Sequence, residues 1–117
     1  MNCLVTRGVR FSCWYEGPMP AFHVVLHRSG DDWQPALPLE QQTRWPEHAA
    51  FMDALRDSGF VVLGGPLADE RRVVLAVEAE SAEDVRTVLA QDPWSGTHLV
   101  LASLEPWTLR VDARRRS

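Results

Sequence analysis

Two residues of this 117-residue chain stand where their type is unexpected: His48 and Asp92. His48 precedes Phe51, Met52 and Leu55 by three, four and seven positions, the spacing of one helix face. Asp92, in "VRTVLAQDPW", follows Val85, Val88 and Leu89 by seven, four and three positions. Each polar group therefore sits on a stripe that should face a core. A buried carboxylate needs a partner, because an unpaired buried charge is costly. A histidine beside a carboxylate can take up and release a proton near neutral pH, the requirement for general acid/base chemistry. The bland alternative is a satisfied structural histidine and an acid that binds a loop amide or solvent.

The elements must bring the two together. "FHVVLH" (Phe22 to His27) reads as a strand. A connection of about twenty residues follows, with Pro35, Pro38 and a helical turn expected around Leu39 to Arg44; connections this long are uncommon and often functional, as lids or binding loops. Pro46 suits the first turn of a helix that runs to Gly59, a good stop. "FVVLGGPL" and "VVLAVEA" are the second and third strands. Ser81 with Asp84 makes a capping-box-like start to a second helix over about 82–91. "HLVLASLEPW" is a fourth strand, and Pro106 places it at an edge.

The order β-α-β-β-α-β is the ferredoxin-like split pattern, an α+β fold with a four-stranded antiparallel sheet and two helices on one face. In that topology the start of the first helix and the end of the second lie at one end of the domain and side by side, so His48 and Asp92 can meet. Gly64, Gly65, Pro66 and the strand exit at His27 gather at the same end. The expected site is thus His48 and Asp92 as the proton-transfer pair, with His27, Gly65, Pro66 and Trp94 around the substrate. Gly64-Gly65 as a mere bulge and Trp94 as a loop anchor are the structural alternatives. The strands are apolar at consecutive positions, as strands buried on both faces are. Two helices cover one face; a second copy packed sheet to sheet would cover the other, giving a homodimer.

Composition narrows the classes of function. The net charge is −4, with no lysine, so no basic surplus argues for nucleic acid apart from the tail Arg114, Arg115 and Arg116, expected to be solvated. No run suits a membrane span or a secretion signal. Cys3 and Cys13 form no metal signature and are expected as free thiols in a cytoplasmic protein. His27 and His98 have no metal-ligand spacing, and no glycine-rich phosphate loop opens a helix, so neither metal nor cofactor is expected. Residues 1–18 read as an N-terminal extension, 19–112 as the domain and 113–117 as a basic tail.

"EHAAFMDALRDSGFVVLGGPLAD", "VEAESAEDVRTVLAQDPW" and the closing "LEPW" resemble the YCII-related (YciI-like) proteins over about residues 20–112. The shared pattern is a histidine opening the first helix, Gly-Pro after the second strand, Asp-Pro-aromatic ending the second helix and Pro-aromatic in the last strand. The resemblance implies a dimeric α/β barrel with a cleft centred on a histidine–aspartate pair, His48 and Asp92 in this chain. The wider superfamily includes muconolactone isomerases and small monooxygenases, and one YCII-like member is associated with dehydrochlorination of a hydroxyquinol. Here the long loop and the N-terminal extension depart from shorter relatives. The expected function is acid–base chemistry on a small aromatic or lactone-like substrate. A non-catalytic ligand-binding or interaction module, and a purely structural dimer, are the competing expectations.

Overall fold

The computed structural model describes residues 19–114 and, upstream, the backbone of two short strands. The main sheet is built from β1 (Ala21–His27), β2 (Val61–Pro66), β3 (Arg72–Glu78) and β4 (Val100–Trp107). Helix α1 (Trp45–Asp57) joins β1 to β2, and α2 (Ala82–Leu89) joins β3 to β4. The order across the sheet is β2-β3-β1-β4 and every neighbouring pair is antiparallel. The fold is α+β with the split βαββαβ connectivity. Pro106 is tolerated because β4 is an edge strand, bonded to β1 alone.

Local chemistry sets the helix ends. Pro46 occupies the first turn of α1, and Gly59, two residues past its end, takes φ +84°, a left-handed value open to glycine without a Cβ penalty. Ser81 caps α2 by accepting the Asp84 backbone N–H at 3.1 Å. The helix ends at Leu89, two residues short of the expected boundary, and the turn that follows carries Asp92.

Alternation along the strands decides what the helices cover. Phe22, Val24 and Leu26 of β1 and Leu75 and Val77 of β3 are buried in one cluster with Phe51 and Leu55 of α1 and Val85 and Val88 of α2. The other sheet face is only partly as expected. Val25 opposes Val74, and Leu63 opposes Ala76 with 64% of its surface exposed. Yet His23 opposes Glu105 and Val25 opposes Ser103, so polar groups interrupt this face.

Within the expected extension, Val5–Thr6 pairs antiparallel with Val9–Arg10, and the latter lies beside α2. The rest of residues 1–18, with Cys3 and Cys13, lies outside the described residues. Arg114, the first arginine of the basic tail, is exposed. Arg114 bonds Glu78 at 3.1 Å and also Asp112, and these carboxylates raise its already high pKa. Its guanidinium is paired with these carboxylates while the side chain stays 39% exposed to solvent. Arg115 and Arg116 lie outside the described residues.

Candidate functional site

Helix α1 presents His48 on its first turns, on the same buried face as Phe51 and Leu55. After α2 the chain turns tightly: the Asp92 N–H donates to Leu89 O at 3.1 Å, and the Ser95 N–H donates to Asp92 O at 2.9 Å. This turn aims the Asp92 carboxylate back at α1. Its Oδ1 accepts from the Trp94 backbone N–H at 2.9 Å and pairs with His48 Nδ1 at 2.8 Å; Oδ2 lies 3.0 Å from the same nitrogen. Both residues are buried, His48 9% exposed and Asp92 7%. An ionised carboxylate only accepts, so the neutral ring carries its proton on Nδ1. The Nε2 lone pair is left without a hydrogen bond among the described residues.

The plane of the His48 ring is fixed by stacking. Its centroid lies 4.0 Å from that of Trp94, with the planes 4° apart. His98 also stacks on Trp94, at 4.6 Å and 15°. The Trp94 indole donates from Nε1 to Thr43 O at 2.8 Å. Thr97 Oγ1 donates to Pro93 O at 3.1 Å, so it accepts from His98 Nδ1 at 3.0 Å. That leaves His98 Nε2 to accept the Thr43 hydroxyl at 2.8 Å. Burial pushes the His98 pKa below its ordinary value, which matches this neutral tautomer. Sequence spacing had offered no role for His98; it supports Trp94.

The long connection forms a wall behind this stack. Gln42 is buried and acts as its staple: its carboxamide accepts from Gln34 N at 2.9 Å and donates to Gln34 O at 2.7 Å and Leu37 O at 3.1 Å. The expected helical turn is Leu39–Gln41. Gly30 N donates to His98 O at 3.1 Å and Asp32 N to Thr97 O at 2.8 Å, tying the loop to the turn after α2. A Cβ at Gly30 would lie 2.2 Å from Thr97 O, so only glycine permits this approach. Trp33 and Trp45 each lie 5.8 Å from the Trp94 ring. Arg44, at the start of α1, holds φ +62°, a cost of about 1–2 kcal/mol for a residue with a Cβ.

His48 opens onto a cavity of about 630 Å³ between α1 and the β2 side of the sheet, lined by Leu26, Met52, Val61, Gly65 and Trp94 among others. This lies within the range of small-molecule pockets, and its walls are mostly apolar. At the mouth Asp53 and Arg56 pair at 3.4 Å and are exposed. Among the described residues no three His, Cys, Asp or Glu side chains converge as metal ligands.

Of the expected site residues, the structure brings together His48, Asp92, Trp94 and Gly65. Two are corrected. His27 is exposed and does not line this cavity: Leu26 points to the helices, so strand alternation turns His27 to the opposite face. Pro66, at the end of β2, is exposed and also outside the lining. The register slip of β2 falls between Val61 and Leu63, so Gly64 and Gly65 are not the bulge. Sequence reading missed Arg28 and Trp45, which both line the cavity. Arg28 could have been found by carrying the Leu26 parity two residues on.

The chain is 39% identical over 71 residues to a uracil-DNA glycosylase of Ralstonia pickettii (strain 12J). The match covers 59% of this chain and 25% of that protein, so the chain spans about a quarter of the curated relative it matches. No family model matches the chain. No solved structure matches it. Among the described residues no helix is long and apolar enough to cross a membrane.

Proposed function

We propose that this chain is a YCII-related protein of the dimeric α/β-barrel superfamily, acting in the cytoplasm as an acid–base enzyme on a small aromatic or lactone-like substrate. One observation carries the reading. His48 is held by Asp92 at 2.8 Å on one side of its ring while the residue lines a largely apolar cavity. In the proposed step, neutral His48 removes a proton from an acidic substrate C–H through Nε2, and Nδ1–H stays on Asp92. The imidazolium, its charge offset by the carboxylate, then returns the proton to another substrate atom. The product is an isomer; or, if the C–H electron pair instead forms a double bond as a leaving group departs with its own bonding pair, the product is an alkene and the imidazolium gives its proton to the leaving group or to water. A carbanion or enolate next to Trp94 and the apolar walls is shielded from quenching by water.

A second copy on the open sheet face completes the proposal. Exposed Leu63 and the half-buried Val25 and Val74 favour it. Glycosylase activity is a weaker reading: the match spans a quarter of that protein, and a net charge of −4 offers no surplus for phosphates.

Isomerisation of a β,γ-unsaturated butenolide to its α,β isomer is a suitable test, because it needs only a proton moved between two carbons. The full chain should accelerate it over buffer, and His48→Gln should remove about 10²- to 10⁴-fold of the rate. A rate that survives His48→Gln, or a set of butenolides none of which the wild type isomerises, counts against proton transfer here.

A further inference from the structure

The geometry points to Arg28 as the anchor for a carboxylate on the ligand of the His48 cavity. This inference rests on the reading of that cavity as a substrate site, though not on proton transfer at His48. Arg28 lines the cavity, and its side chain is 8% exposed. Only one arm of the guanidinium is engaged: Nη1 donates to Glu70 O at 2.8 Å and meets Glu70 Oε1 at 3.3 Å. Nε is shielded from solvent and has no hydrogen-bond partner. Nη2 makes no hydrogen bond among the described residues. The Nε and Nη2 hydrogens form the planar fork that matches the two oxygens of a carboxylate, and a ligand reaches the shielded Nε by displacing the side chains that cover it.

The surroundings argue that this fork is kept for a ligand. A buried cation with an orphaned N–H is costly unless something compensates it. Glu70 does so poorly, since its side chain is 73% exposed on the turn between β2 and β3 and its charge is screened by water. The cavity's other charged groups are already matched, Asp53 with Arg56 and His48 with Asp92. Arg28 also lies over the Trp33 ring, 5.0 Å from its centroid, a cation–π contact that holds the guanidinium near the cavity wall. An organic acid with an apolar body fits this pattern: the body lies against the aliphatic walls, the carboxylate on Arg28, and the rest of the molecule reaches towards His48.

Benzoate and benzamide share a ring and differ in charge, and they make the test direct. Each is titrated into the ¹⁵N-labelled full chain, following the indole N–H signals and the Arg28 Nε–H signal, assigned by its loss in Arg28→Lys. Wild type should bind benzoate at least tenfold more tightly than benzamide, with the Arg28 Nε–H signal shifted by benzoate alone. Arg28→Gln should abolish that preference by weakening benzoate and leaving benzamide unchanged. His48→Gln should keep it. Equal affinities in the wild type, no saturable benzoate binding, or a preference that survives Arg28→Gln each overturns the proposal. If Arg28→Gln does not fold, benzoate binding to wild type without movement of the Nε–H signal does the same. Loss of the butenolide reaction's dependence on His48, with the benzoate preference intact, would defeat proton transfer and spare the anion site.

Discussion

Replacing Asp92 separates what the carboxylate does for the fold from what it does for the His48 ring. Its Oδ1 serves two donors at once, Trp94 N at 2.9 Å and His48 Nδ1 at 2.8 Å. In Asp92→Ala both donors lose their partner in a buried place. At about 1.5–3 kcal/mol for each of the two hydrogen bonds to a charged group, the loss should be about 3–6 kcal/mol. At about 4 °C per kcal/mol for a domain of this size, the melting temperature should fall by about 12–24 °C. Asp92→Asn behaves differently. Its amide oxygen can take the Oδ1 place and keep the Trp94 N–H, so the stability loss should be only about 1 kcal/mol. But its NH₂ then stands where Oδ2 lay, 3.0 Å from Nδ1, and faces a second donor. The ring relieves this by moving its proton to Nε2, the nitrogen that proton transfer needs free. Long-range ¹H–¹⁵N spectra at alkaline pH read the tautomer directly. Wild type should show His48 with Nδ1–H, and Asp92→Asn a substantial Nε2–H population with butenolide turnover lowered at least tenfold. An unchanged tautomer together with unchanged turnover would refute the account of Asp92 as the group that orients the base.

Four further outcomes follow from particular contacts. Gly30→Ala drives a Cβ to 2.2 Å from Thr97 O, a backbone atom, and should cost about 3 kcal/mol or more in denaturant unfolding. Gly64→Ala places its Cβ 2.4 Å from Leu75 Cδ2, which can rotate away; a loss of about 1–3 kcal/mol is expected, and since both residues line the cavity, weaker ligand binding in the same titrations. His98 has a folded pKa below its ordinary value of 6.5, so the unfolded chain binds the proton first as pH falls: its contribution is complete above about pH 6.5 and is lost as pH drops through the folded pKa. Urea midpoints between pH 8 and 5 should fall less steeply in His98→Gln. Sedimentation equilibrium should give twice the chain mass, and Leu63→Glu, on the open sheet face, should shift it to the monomer without unfolding the domain.

The meeting of His48 and Asp92 was legible because two simple periods suffice for it. Helical spacing put each residue on an inward stripe, and split connectivity put one helix start beside the other's end. Trp94 was legible by type, yet its full role depends on Thr43 and His98, which come from a loop and a turn with no period to read. The same limit applies to the wall from Arg28 to Arg44. Two prolines and a length of this kind suggest a lid; what makes it a fixed wall is the carboxamide of Gln42, which satisfies three backbone groups at once, and the fit of Gly30 against Thr97. Neither contact has a sequence signature. His27 and Arg28 show the other kind of failure. Strand alternation was available from Phe22, Val24 and Leu26, and it excludes His27 and selects Arg28. A histidine at a strand exit draws attention for its chemistry, while an arginine opening a loop draws none.

That exchange of one residue for its neighbour changes the kind of ligand expected. With His27 in the cavity, the polar lining would hold two imidazoles, which do not discriminate strongly between neutral and anionic ligands. With Arg28 there instead, a permanent positive charge lies in an apolar wall, and a neutral substrate would leave its free fork unpaired. The penalty for an unpaired buried group is what makes a polar site selective: a ligand lacking the carboxylate loses the bond it could have made and also leaves the guanidinium desolvated. A buried cation can further stabilise an enolate formed next to a substrate carboxylate, because negative charge developing on the reacting carbon spreads towards the oxygens already held. Arg28 and His48 would then divide the work of a C–H deprotonation, one holding charge and the other moving the proton, while Asp92 and Trp94 keep the base in its tautomer and plane.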